Sequence, residues 1–277
     1  MVATVSDWLH NLPILWMTMV ILGANYLVVA AIYFIVGALA RDERIPAFKA
    51  VAPSLLSPLG TIFGLFVVFT AVQVWNDNDH ADAAVDREAS SLKSVIVLAD
   101  SLPEGPRERL RVLVSSHIKD EVMQEWPAMA RHDVTLSRTP QYLAQTVMLV
   151  LAINPGSPGE TIAQREIAAA LENAFEARRE RILVSRARVS FFKWACLLVQ
   201  AVCIFVEISL IHCDKRLSSA LALGLFATGV GACLVLIVAY DGPFDGKLAI
   251  GPGPLLQVLQ ESSLSTGAAT PVMPLSQ

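Results

Sequence analysis

Two long apolar blocks, one near each end of the chain, flank a charged middle with helical periodicity. The first apolar run, Ile14–Ala40, carries Asn25 and Tyr26 as its notable polar side chains. It stops at Arg41-Asp42-Glu43-Arg44. After a linker with Pro46, Lys49 and Pro53, a second run covers Leu55–Trp75. A third occupies Phe191–His212 and ends in the turn Cys213-Asp214-Lys215-Arg216. The fourth, Leu217–Tyr240, is closed by Asp241-Gly242-Pro243, because proline cannot continue a helix and glycine loosens its end. A bilayer core of ~30 Å needs about 20 apolar residues in a helix, so each run predicts one membrane span. No Lys or Arg precedes the first run, which is about twice the length of a signal peptide's apolar region. It is therefore expected to be a retained span. The pattern predicts an all-α protein with two transmembrane hairpins, residues 1–76 and 191–240. A long helical extramembrane domain, 77–190, separates them, and a C-terminal segment, 241–277, is expected to be disordered from about 262.

The middle segment is patterned differently. No Pro or Gly falls between Trp75 and Pro103, so the second span is expected to continue outward as one rod. From Pro58 to Asp100 such a rod would measure ~65 Å at about 1.5 Å per residue. Val85, Ala89, Leu92, Ile96 and Ala99 recur at spacings of three and four, a buried stripe expected to hold subunits together. Pro106 opens a helix with Leu110, Val114, Ile118, Val122 and Trp126 on one face, and Pro127 is expected to end it. Thr139-Pro140 starts a short helix that reaches about Ile153. Ser157-Pro158-Gly159-Glu160 has capping-box spacing, and with no later proline before Pro243 its helix is expected to run into the third span.

Composition sharpens this picture. Hydrophobic residues make up 54% of the chain and charged residues 17%, an apolar excess over soluble proteins. The net charge of -4 supplies no basic field for nucleic acid. Cys196, Cys203, Cys213 and Cys233 form no CxxC pair and read as small apolar residues of membrane helices. His10, His80, His117, His132 and His212 are scattered without metalloprotease spacing, and no nucleophile-elbow, P-loop or dinucleotide fingerprint occurs. No enzyme and no cofactor are expected. Asn76-Asp77-Asn78-Asp79-His80-Ala81-Asp82 lacks the glycine and distal glutamate of a calcium loop and reads as a solvated turn beyond the membrane.

The order of several short pieces resembles the bestrophin-like family of bacterial membrane proteins. They are Val85-Asp86-Arg87-Glu88-Ala89, Leu102-Pro103, Arg109-Leu110-Arg111, Glu125-Trp126-Pro127-Ala128-Met129-Ala130, Ala177-Arg178-Arg179 and Asp241-Gly242-Pro243-Phe244. Gly242 stands where the family pattern has Arg, and Gly253 of Pro252-Gly253-Pro254 stands where it has Glu. The resemblance implies a homo-oligomeric ion channel of the bacterial inner membrane that passes small inorganic ions, with anions preferred. It also implies a pore lined by the second span. Ile62, Phe66, Phe69 and Gln73 form one face of that helix with Phe63 beside it, and such apolar rings gate by dewetting. The alternative is a non-conducting scaffold or signalling partner acting through its helical domain. Gly60 and Gly64 form a GxxxG step on the adjacent face. Glu207, an acidic residue within the third span, is an ion-pathway candidate that is also placed to pair with Lys215 or Arg216. Arg178, Arg179, Arg181, Arg186 and Arg188 are expected to set topology and contact headgroups.

Sidedness follows from cations near span ends. Arg41, Arg44, Lys49, Lys215 and Arg216 lie on one side. Arg87, Arg178, Arg179, Arg181, Arg186, Arg188, Lys193 and Lys247 lie on the other. The larger group predicts a cytoplasmic middle domain with both termini inside. Reporter fusions after Arg216 and at Gln277 should report opposite compartments, with Gln277 cytoplasmic; a periplasmic Gln277 reverses the assignment.

Overall fold

The computed structural model describes residues 12–40, 45–131, 133–136 and 139–267. His10, Arg41, Arg44, His132 and the tail beyond Gly267 lie outside these. Among the described residues regular structure is entirely helical: α1 (Ile14–Leu39), α2 (Ile45–Ala99), α3 (Glu104–Asp120), a π-helical turn (Glu121–Glu125), α4 (Trp126–Ala130), α5 (Gln141–Leu151), α6 (Pro158–Val184), α7 (Phe191–Ile211), α8 (Arg216–Tyr240) and α9 (Gly253–Gly267). The chain forms two compact units. The first comprises residues up to Asn78 with Ala187–Gly242 and Gly246–Leu248. The second comprises Asp79–Arg186, Pro243–Asp245 and the residues from Ala249 onward.

The membrane unit contains four helices long and apolar enough to span a bilayer: α1, the Ser54 side of α2, α7 and α8. In lipid the hydrophobic effect does not draw helices together, so close packing and interhelical hydrogen bonds must. Both are present where α1 meets α8. A side chain on Gly231 would stand 2.5 Å from the Leu22 Cδ2 methyl, so glycine lets the helices meet here without displacing that leucine. Beside it, the Asn25 amide donates to the Ala227 carbonyl at 2.6 Å, and Tyr26 shares a 2.7 Å hydroxyl bond with Thr228. Phe205 and Phe226 meet edge to face at 5.8 Å in a core that includes Ile32, Leu197, Ile204, Leu223 and Ile237.

The second unit buries one continuous core. Leu92, Val95 and Ala99 of α2 pack with Leu110, Val114 and Ile118 of α3, Leu143 and Val150 of α5, Ile167 and Leu171 of α6, and Leu255 and Val258 of α9. The α2 stripe is thus covered by helices of its own chain, and it needs no second subunit to leave water.

Local chemistry explains where the helices depart from expectation. The segment with Pro46 and Pro53 is helical, since α2 begins at Ile45. Pro46 falls in the first turn, where the missing N–H has no intrahelical partner to lose. At the other end, α6 does not run into α7. It starts on the expected cap, with the Glu160 N–H bonded to Ser157 Oγ at 3.2 Å, but stops at Val184. The break before α7 is held by distant groups: Val189 N–H donates to Asp241 Oδ1 at 2.8 Å, a partner no local pattern could reveal. Gly242, next to that aspartate, has φ 107°, a conformation natural to glycine and strained for arginine. The C-terminal helix α9 continues to Gly267, with Leu255 and Val258 anchored in the core.

Leu92 is fully buried in this core. Leu92→Ala should lower the unfolding free energy by about 2–5 kcal/mol, read by denaturant titration of the detergent-solubilised protein, without changing its mass in detergent.

Candidate functional site

The residues expected to line a pore do not share one environment. Phe63 is buried in the membrane unit's core, its ring 6.2 Å from Phe226. Ile62 and Phe69 are exposed on the chain and Phe66 is half-buried. Gln73, one to two turns on, accepts a hydrogen bond from Lys193 Nζ. Ile62, Phe66, Phe69 and Gln73 therefore remain on the free side of α2, while Phe63 faces inward. Gly60 and Gly64 have open space where a side chain would stand, so no helix among the described residues uses that step.

Glu207 is 4% exposed. Neither carboxylate oxygen has a hydrogen-bond partner among the described residues, so the expected pairing with Lys215 or Arg216 is not made. Gln200, two turns earlier on α7, likewise has a buried side-chain oxygen without a partner. The four cysteines are free.

A second constellation lies in the helical unit, and sequence reasoning missed it. Arg181 of α6 is completely buried. Its Nε donates to Glu88 Oε2 at 2.7 Å, and its Nη2 donates to Glu121 Oε1 at 2.8 Å and to Glu125 Oε2 at 3.3 Å. Its guanidinium carbon stands 4.5 Å above the Trp126 ring, a cation–π contact. Arg178, one turn earlier, grips Glu125 with Nε 3.1 Å from both carboxylate oxygens. These two arginines are core residues rather than headgroup contacts.

Pro127 alters the turn that carries two of the carboxylates. Its ring would clash with the carbonyl four residues back, and it lacks an N–H. The chain answers by widening: Trp126 N–H bonds to Glu121 O, five residues back. Glu121 and Glu125, four residues apart, lie on one side of this turn, toward Arg178 and Arg181. Pro127 thus reshapes the helix without ending it, and the helical path continues to Ala130.

His117, one turn before Glu121, completes the group. Its Nε2 lies 3.3 Å from Glu121 Oε1, yet this atom and Glu121 Oε2 have no hydrogen-bond partner among the described residues. One ligand atom from each of Glu88, His117 and Glu121 falls within 4.8 Å of the other two, and all three residues are buried. Burial pushes the Glu88 carboxyl up to about 8, with Arg181 opposing and Glu121 adding to the rise. Burial also raises Glu121 despite Arg181. For Glu125, burial is outweighed by the Arg178 hydrogen bonds and the two guanidinium charges, which hold it below the usual carboxylate range. His117 is pushed down to about 4 by burial, against the pull of Glu88 and Glu125. Burial thus favours the uncharged forms of His117 and of the two carboxyls Glu88 and Glu121. A cavity of about 90 Å³, lined by Gln124, Glu125, Ala128, Asp133, Val134, Thr135 and Arg178, abuts the outer edge of this cluster.

A family model described as a Bestrophin-like domain matches residues 23–255. The chain belongs to the Bestrophin-like family. Its fold is also similar to a crystal structure of a bacterial bestrophin homologue from Klebsiella pneumoniae, at 10% identity and a TM-score of 0.66, covering 91% of this chain and 99% of that one. A second crystal structure, of a protein described as a membrane protein, gives 11% identity and a TM-score of 0.69, with 91% and 98% covered. At such identities these two establish the fold alone. No curated protein matches the sequence significantly. The pieces that carry the bestrophin-like resemblance meet in space. Glu88, Glu125 and Arg178 join Arg181, while Trp126 stacks edge to face on Phe244 at 5.9 Å and donates to Ile250 O at 3.0 Å. A usable signal existed in the sequence: His117, Glu121 and Glu125 recur every four residues on a helix whose same face is apolar.

Because burial favours the protonated form of Glu88, Glu88→Gln should leave stability in a chelating buffer within about 1 kcal/mol of wild type. Arg181→Met strands buried carboxylate charge and should cost about 3–5 kcal/mol. Denaturant unfolding at pH 7 compares the two, and equal losses would contradict the proton assignment.

Proposed function

We propose that this chain is one subunit of an oligomeric channel that passes small inorganic ions across the inner membrane along a path lined by α2. The observation that carries this reading is the bareness of α2 within its own chain. Only 17% of its apolar membrane stretch is buried, the least of the four spans, against 22% for α1, 33% for α8 and 39% for α7. Its outward side chains include Ile62, 50% exposed, and Phe69, 66% exposed. Symmetry-related copies bringing such faces together would stack rings of apolar side chains around an axis, and a ring of that kind excludes water until it widens. Gln73 would lie beyond Phe69 along the path. Lys193, hydrogen-bonded to it, places a positive charge there, which favours anions. Phe63 acts behind this face as packing. Glu207, buried without a partner in α7, is a secondary candidate for the ion pathway because an ionisable group in lipid is costly to keep.

Replacing Phe66 and Phe69 together by Ala should widen and wet the constriction. Chloride efflux from proteoliposomes should then rise several-fold without loss of oligomeric mass. Gln73→Glu, which sets a carboxylate against Lys193, should lower chloride passage relative to potassium. Well-folded wild-type and double-variant oligomers that pass neither chloride nor potassium would refute conduction and favour a scaffold acting through the helical unit.

A further inference from the structure

The buried cluster in the helical unit has a feature that ion pairing leaves unexplained. Arg181 and Arg178 satisfy Glu88, Glu125 and one oxygen of Glu121. Two strong electron-pair donors are left over: His117 Nε2 and Glu121 Oε2. His117 is 1% exposed and Glu121 1% exposed, so neither reaches bulk water. A buried nitrogen or oxygen lone pair without a partner is costly, and native interiors rarely contain two in one place.

We propose that Glu88, His117 and Glu121 form a binding site for a divalent transition-metal ion of the zinc class. The donor set selects the ion. Imidazole nitrogen with carboxylate oxygen suits zinc and its first-row neighbours, whereas calcium and magnesium take six or more ligands that are mostly or wholly oxygen. Zinc–ligand bonds are about 2.0–2.2 Å, which puts tetrahedral ligands about 3.3 Å apart. The His117 Nε2–Glu121 Oε1 separation is already 3.3 Å, and the three-way grouping within 4.8 Å closes with small side-chain rotations. His117 and Glu121 sit four residues apart on one helical face, and Glu88 approaches from α2. Three ligands on two helices leave a fourth position for water.

Electrostatics permits the ion despite the arginines. Glu88, Glu121 and Glu125 carry three negative charges when ionised, against two positive charges on Arg178 and Arg181. Fully ionised, the cluster is therefore one positive charge short, and a bound cation takes the place of the proton that otherwise balances it. Arg181 then acts as the outer partner that orients the ligating carboxylates, a common arrangement around metal sites. Arg178 ties Glu125 back, and the small cavity with Asp133 in its wall gives a cation a polar approach to the cluster's edge. This inference is independent of conduction, since it concerns only the helical unit.

The test uses the full-length oligomer in detergent, stripped with chelator, dialysed, and titrated with Co²⁺. Wild type should bind one Co²⁺ per chain with visible d–d absorption, lose the signal when Zn²⁺ is added, and melt at a higher temperature when loaded. His117→Gln and Glu88→Gln should each weaken binding at least 100-fold. Glu88→Gln keeps the neutral shape of the protonated acid, so it supplies a folded variant even if His117→Gln does not fold. His80→Ala, altering an exposed histidine, should bind as wild type does. Absence of stoichiometric binding in wild type overturns the proposal. So does binding that survives Glu88→Gln, or that is lost in His80→Ala.

Discussion

Arg181 sets the terms for the helical unit. A guanidinium cannot shed its proton to escape burial, and stripping a charge of water costs several kcal/mol or more. Its position is tenable only if carboxylates arrive from other helices with hydrogen-bonding geometry. Glu88 comes from 93 residues away and Glu121 from 60 residues away. The facing registers of α2 and α6 and the phase of the α3–α4 path are therefore tied to one side chain. A one-residue slip in any of them would leave a charge unpaired. The aromatic face of Trp126 then closes over the guanidinium and links the cluster to Phe244, which is how a short post-span segment becomes part of the core.

The membrane unit is held by different physics. Its helices would be surrounded by apolar material whether or not they met, so burial of leucine and isoleucine does little to choose partners. Selection falls to shape and to a few polar contacts: the space at Gly231, the Asn25 amide on a helix carbonyl, and the paired hydroxyls of Tyr26 and Thr228. The bareness of α2 belongs to the same account. A membrane helix that its own chain leaves uncovered is free to meet lipid or another copy of the protein, and nothing in apolar composition distinguishes the two.

Much of the fold was legible because it rests on periodicities that survive in one dimension. Four apolar runs of the right length, a three-four stripe ending at Ala99, and a Ser157-to-Glu160 cap each predict an element that is present. What failed was whatever depends on a distant partner. The stop between α6 and α7 relies on Asp241 receiving a backbone N–H. Pro127 looked like a terminator because the π turn that accommodates it has no sequence signature of its own. Arg178 and Arg181 were misread for a related reason. Five arginines close to a span resemble a topology signal, and only three-dimensional packing reveals which two face inward. Within the membrane face, helical phase placed Ile62 and Phe69 on the free side but could not separate them from Phe63, whose ring turns toward Phe226.

The Asn25–Ala227 hydrogen bond joins residues 202 positions apart, and that interval is also a stretch of time. A chain made from its N-terminus delivers α1 to the bilayer long before α8 exists. Until then Asn25 must keep its amide near the headgroups, on another carbonyl, or on an insertion factor. The helical unit faces the same delay, because Glu88 and Glu121 are synthesised before the arginine that neutralises them. Both halves of the molecule thus wait for late-arriving partners. The order of synthesis, as much as the final packing, governs how long this protein is exposed to proteases and to misassembly.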